Sequence, residues 1–130
     1  MGTKLLWLAT AGALGTISRY ALSSLAIRIA GGASSAGVMA VNVAGCFVAG
    51  MLMALIDSRI NLSPEQKLFL FVGFLGAFTT FSAVFVEMGN LVKSDQWLLA
   101  ARFVLLQNAL GITALFAGLA SVRMVFATAS

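Results

Sequence analysis

Of the 130 residues, 61% are hydrophobic and only 9% are charged, with eight Lys or Arg against four Asp or Glu and a net charge of +4. Soluble globular chains are about 45–50% apolar and about 25% charged, so this chain lacks the polar residues to cover a compact body in water, and most of its surface must face lipid. The absence of His excludes imidazole-based triads and His-bound metals. The single cysteine, Cys46, supports neither an intrachain disulfide nor a thiolate cluster.

The apolar pattern predicts helices over 5–29, 36–56, 67–92 and 97–126. Each crossing takes about 20 residues, so four of them leave only turns and tails. The expected architecture is a single all-α transmembrane domain over 1–130 with four spanning helices. The start, Lys4 followed by Leu5-Leu6-Trp7-Leu8-Ala9, superficially resembles a signal peptide. The apolar pattern continues to Ile17 and resumes at Tyr20, and we read the segment as retained. Between the first two helices lies a Gly/Ser turn, RIAGGASS (28–35). The next connection, DSRINLSPE (57–65), holds the only proline, with Ser63 placed to cap the third helix and Pro64 at its first position. Lys93-Ser94-Asp95-Gln96 forms the last turn.

The cations are scattered singly, with no run that could track phosphates, so a nucleic-acid partner is not expected. They read instead as anchors at the membrane edge. With a cytoplasmic N-terminus, Lys4, Arg59, Lys67 and Arg123 fall on that side and Arg19, Arg28, Lys93 and Arg102 on the other, four against four. Lys/Arg asymmetry in short loops sets orientation; a balanced chain has no preference, which predicts insertion both ways and an antiparallel homodimer. Small residues at four-residue spacing, Ala36, Ala40 and Ala44 beside Gly45 and Ala49, and Gly111, Ala114 and Gly118 in the last helix, predict close helix approach.

Polar residues inside hydrocarbon are functional candidates because each is expensive unless paired or wetted. Those present are neutral: Asn42 in the second helix, Thr79, Thr80 and Ser82 at the middle of the third, and Gln107 and Asn108 in the fourth. A small dual-topology proton-coupled multidrug exporter is one class of explanation, but it needs a carboxylate near the midplane. The only intramembrane acid, Glu87, lies about 12 Å along the helix from residue 79, near an interface, where a solvated or Arg-paired carboxylate is the simpler role. A passive pore for a small anion is the other class. Amide and hydroxyl donors and the electropositive edges of aromatic rings release an anion more readily than a buried Lys or Arg, and the third helix supplies Phe74, Phe78, Phe81 and Phe85. A purely structural membrane subunit is a third possibility.

The run Gly73-Phe74-Leu75-Gly76-Ala77-Phe78-Thr79-Thr80-Phe81-Ser82 resembles the G-x-x-G-x-x-T-T-F-S signature of the Fluc/CrcB fluoride channels. The resemblance extends to Gly12-x-x-Gly15-x-x-x-Arg19-Tyr20 and Val41-Asn42-x-x-Gly45, covering nearly the whole chain in the right order. It implies passive fluoride export from the cytoplasm, which lowers fluoride toxicity, through two pores at the interface of an inverted dimer in a bacterial inner membrane. By motif position, Asn42 and Phe81 would line the fluoride path with Thr80 and Ser82 nearby, and Arg19 would sit at the aqueous vestibule. The resemblance also implies a third helix broken at its centre and a structural, untransported sodium ion (Na+) held by the backbone carbonyls of Gly76 and Thr79. Gln107 is a candidate for a further polar contact in the pore, with interhelical hydrogen bonding as the alternative. The family commonly carries a second phenylalanine three residues after the first. Here Val84 stands there and Phe85 follows one residue later, turned by about 100° on a helix.

Overall fold

Long apolar runs with few breakers leave the backbone no way to satisfy its own polar groups in lipid other than helices, and the chain is helical almost throughout. The computed structural model describes residues 1–127 and contains no strand among them. Helix α1 spans Gly2–Ile29 and α2 spans Ser34–Ser58. The third span comprises α3 (Pro64–Lys67), a π-helical segment (Leu68–Leu75), α4 (Gly76–Phe78) and, after a break, α5 (Phe81–Lys93). The last helix, α6, covers Trp97–Ala127.

Local chemistry explains the ends. Gly31 and Gly32 take positive φ values of 68° and 99°, turning the chain between α1 and α2 where a side chain would be strained. Ser63 caps α3 as its residue type and position predict, and the cap is reciprocal. The Ser63 hydroxyl accepts from the Gln66 amide at 3.2 Å, and the Gln66 side-chain oxygen accepts from the Ser63 amide at 2.9 Å. Pro64 follows at the first helical position.

Three helical stretches are long and apolar enough to cross a membrane: Ser34–Ser58, Pro64–Lys93 and Trp97–Phe126. Helix α1, with 28 residues, has the length, but Thr10, Thr16, Ser18 and Arg19 dilute its apolar run and it falls short of that mark. Its outward side chains are nonetheless largely apolar, with Leu5, Leu6, Trp7, Leu14 and Ile17 all more than half exposed.

Helix α2 is the hub, packing against α1, α6 and the third span, most extensively against α6. Two glycines set the α2–α6 spacing. A Cβ on Gly50 would strike the Leu115 carbonyl and one on Gly118 the Phe47 carbonyl, so each helix presses a glycine onto the other's backbone. The buried core is thin, comprising Val41, Ala54, Leu75, Phe78, Val84, Ala100, Phe103 and Val122. Large side chains such as Tyr20, Val72, Phe81, Leu105 and Phe116 stay exposed. In water such a surface would drive association; in a bilayer it is the solvated face.

Candidate functional site

The third span breaks at Thr79 and Thr80, both extended, with φ/ψ of −85°/160° and −150°/115°. A break inside a membrane span frees peptide groups that need partners, and their placement defines the site. In an unbroken helix the Thr80 amide would serve the Gly76 carbonyl and the Ala83 amide the Thr79 carbonyl. Both donors are diverted. The Thr80 amide donates to Asn42 Oδ1 at 2.8 Å, and the Ala83 amide donates to Thr80 Oγ1 at 3.3 Å.

Asn42 therefore has a structural task. Its side chain is 8% exposed and grips the Thr80 peptide on both sides, because Nδ2 also donates to the Thr80 carbonyl at 2.9 Å. One side chain thus takes up the donor released by the break and adds a second hydrogen bond to the carbonyl that starts α5. Thr80 uses its hydroxyl to cap α5, a role given to short polar residues at helix starts. Thr79 turns the other way, its amide and hydroxyl both donating to the Leu75 carbonyl at 2.9 Å. Gly45 makes room for this arrangement, since a Cβ there would collide with the Thr79 methyl group.

The break opens onto a cavity of about 480 Å³. Its polar lining comes from Asn42, Thr79, Thr80, Gln107 and Asn108, and Phe81, Val84 and Leu115 are among its apolar walls. Gly76 also borders it, whereas Ser82 and Arg19 do not. Ser82 stays close through its hydroxyl, 3.5 Å from that of Thr80. Arg19 is half-buried on α1.

Phe81 is 77% exposed, and its ring meets that of Phe85 edge-on with centroids 4.8 Å apart and planes at 65°. Val84, at the position where the signature commonly continues with phenylalanine, is buried in the cavity wall. Phe85 is not part of that wall, so the one-residue step moves the second ring off the cavity, as the helical turn angle requires.

Gln107 reaches the cavity from α6. It is 7% exposed, and its Oε1 has no hydrogen-bond partner among the described residues. The neighbouring Asn108 instead donates from Nδ2 to the Val104 carbonyl of its own helix at 2.8 Å. Glu87 stands apart from the cavity and is not paired with Arg among the described residues. Its Oε2 accepts a 2.9 Å hydrogen bond from Ser34 Oγ in the first turn of α2.

No grouping of three or more His, Cys, Asp or Glu occurs among the described residues, so a cation at the break would depend on carbonyl oxygens. Those of Gly76 and Thr79, deprived of their helical donors, have suitable chemistry for a hard ion such as sodium.

The grip of Asn42 on Thr80 was not apparent in the sequence, which marks Asn42 as polar and intramembrane but gives no sign of what it holds. The capping role of Thr80 had a signal, a hydroxyl residue three positions before Ala83 where an apolar helical pattern resumes.

Comparison with known proteins fits this geometry. The family described as "CrcB-like protein, Camphor Resistance (CrcB)" matches residues 6–119. A protein of Desulforapulum autotrophicum named "Fluoride-specific ion channel FluC" is 44% identical over 125 residues, covering 96% of this chain and all of that protein. Proteins of the same name from Nitrosococcus oceani and Maridesulfovibrio salexigens are 43% and 38% identical, covering 91% and 94% of this chain and 94% and 97% of theirs. With a match that spans most of the chain and includes the broken third span, this chain belongs to the CrcB family.

Proposed function

We propose that this chain is the subunit of a fluoride channel that lets fluoride leave the cytoplasm passively, a transport activity with no catalytic step. The observation that carries the reading is the break at Thr79–Thr80, which lines a cavity inside a membrane span with neutral donors in a chain whose relatives are named fluoride-specific channels. A small, strongly hydrated anion enters such a site only where donors replace its water, and leaves only where none binds it too tightly. Asn42 Nδ2 carries two N–H groups. One holds the Thr80 carbonyl, and the second is the candidate donor to fluoride. The exposed edge of Phe81 and the hydroxyls of Thr80 and Ser82 extend the path, Gln107 adds an amide from α6, and Arg19 draws anions to the entrance.

The finer assembly belongs to the same reading. Helix α1, apolar on its outer face, is the fourth span, and the even distribution of cations supports two oppositely inserted copies. The cavity and the exposed Phe81–Phe85 pair then meet a second subunit in the bacterial inner membrane. The carbonyls of Gly76 and Thr79 would hold a structural sodium ion, which when bound supplies fixed positive charge without being transported.

Reconstitution in liposomes tests the function. Fast electrogenic fluoride efflux is expected without a proton gradient and with chloride left behind. Asn42→Ala and Phe81→Ile should each slow it by at least about tenfold, the worth of one hydrogen bond to an ion. Efflux that requires protons, movement of organic cations, or unchanged flux in both variants overturns the reading. Accessibility tags on both termini test the assembly, since finding every copy facing one way excludes the inverted dimer. Replacing sodium by a large organic cation during preparation should lower flux, and indifference counts against the carbonyl site.

A further inference from the structure

A second hollow lies outside the fluoride site. Between the start of α2, the end of α5 and the start of α6 is a groove of about 610 Å³. Met39, Leu91, Leu99, Phe103 and Leu106 make it apolar, and Arg102 is the one ionisable group in its lining. Ser35 adds a hydroxyl at one edge. None of the residues at the helix break takes part, and Glu87, held by Ser34, is not in the lining.

Depth identifies what such a groove faces. Helix α6 has 31 residues, about 46 Å at 1.5 Å per residue, against a hydrocarbon core of about 30 Å. Set upright and centred, the helix projects about 8 Å at each end. Arg102 lies five residues beyond Trp97, about 7.5 Å along the axis, which puts its Cα at the boundary between hydrocarbon and headgroups. Leu99 and Leu106 share its helix face by spacing, and Leu106 is about 6 Å deeper than Arg102. Arg102 is exposed and takes part in no ion pair or hydrogen bond among the described residues.

A cation at headgroup level above an apolar trough that runs toward the midplane complements one kind of molecule, with a phosphate on top and an acyl chain below. Basic pockets between membrane helices hold anionic headgroups in this way. We propose that this groove is a binding site for an anionic phospholipid, its phosphate on Arg102 and an acyl chain between Met39, Leu91 and Leu106. The guanidinium suits a phosphate better than a zwitterionic headgroup whose ammonium competes for it. This inference does not depend on the fluoride reading, because it uses neither the break nor the cavity beside it.

Native mass spectrometry of the full chain, released from bilayers of equal phosphatidylglycerol and phosphatidylcholine, tests the site. The wild type should retain phosphatidylglycerol over phosphatidylcholine by about fivefold, the value of one cation near a lipid phosphate. Arg102→Gln should abolish the preference, Arg102→Lys should keep most of it, and Arg123→Gln, elsewhere on α6, should leave it intact. Leu106→Trp retains the cation and fills the trough, so it should lose the lipid adduct even though Arg102 remains. A wild type that shows no preference, or Arg102→Gln and Leu106→Trp variants that both retain the adduct, overturns the proposal. So does loss of the groove's accessibility to lipid because a second copy of the chain covers it, seen as a cysteine placed at Leu99 that resists a bulky thiol reagent in the assembled protein and reacts once the copies are separated.

Discussion

Helix α2 shows two ways of meeting a neighbour inside a membrane. Against α6 it presses bare backbone on backbone, Gly50 to Leu115 and Gly118 to Phe47. Both helices are unbroken there, so every peptide group is already satisfied and closeness is all that is required. Against the third span, two turns nearer its N-terminus, the same helix meets a chain whose hydrogen bonding has been interrupted. Glycine alone does not suffice at that contact. Gly45 clears space for the Thr79 methyl group, and Asn42 supplies a donor and an acceptor to the Thr80 peptide. The first contact is close and apolar, whereas the second brings polar groups to a cavity whose walls are otherwise mostly apolar. Small residues permit approach, and a buried amide permits a break.

The two contacts should fail differently. Gly118→Leu forces a side chain into the Phe47 backbone, which cannot move without parting the helices. A loss of about 3 kcal/mol is expected, seen as a lower thermal unfolding temperature in detergent with α2 and α6 separated. A fall below about 1 kcal/mol would mean that the approach is looser than the glycines indicate. Asn42→Ala comes next. It leaves the Thr80 N–H without a partner in a medium that offers no substitute, at about 1–3 kcal/mol, and removes the second hydrogen bond to a carbonyl that already accepts within α5. Stability and fluoride flux should fall together, and Asn42→Asp, which keeps the acceptor but not the donor, should recover neither fully.

The spans were legible because hydropathy over some 20 residues depends on little but composition, and Ser63-Pro64 announces its own helix start. The reciprocal half of that cap was present in Gln66, at the spacing of a capping box. The break was legible only through resemblance. Two threonines lower helix propensity slightly, far too little to open a helix in lipid, and what holds the opening is an asparagine 38 positions away in sequence. The π-helical turn at Leu68–Leu75 is equally silent, because LFLFVGFL carries no residue that distinguishes one helical winding from another. Helix α1 marks the limit of hydropathy itself. A few hydroxyls and Arg19 keep it below the mark that the other three pass, although large apolar side chains such as Leu5, Leu6, Leu14 and Ile17 point outward.

Two smaller changes separate holding the break from serving an ion. Thr80→Ala removes the acceptor that caps α5 at the Ala83 amide, at about 1 kcal/mol. The main-chain bonds between Thr80 and Asn42 persist, so the loss should be well short of that in Asn42→Ala, and unfolding measurements on the two variants rank them. Gln107→Leu should have the least effect on stability. Gln107 Oε1 is buried without a partner, so exchanging the amide for an apolar group of similar length removes an unsatisfied acceptor, and stability should stay within about 1 kcal/mol of the wild type or rise. If Gln107 contributes to the pore, flux should nonetheless fall, because the cavity loses the one polar side chain that α6 sends to it without an internal hydrogen bond. A structural residue shows the opposite pattern, in which unfolding shifts and flux in the surviving protein does not. Measuring both quantities in Gln107→Leu and Asn42→Ala therefore separates a side chain that only faces the ion, which loses flux alone, from one that also holds the break, which loses both.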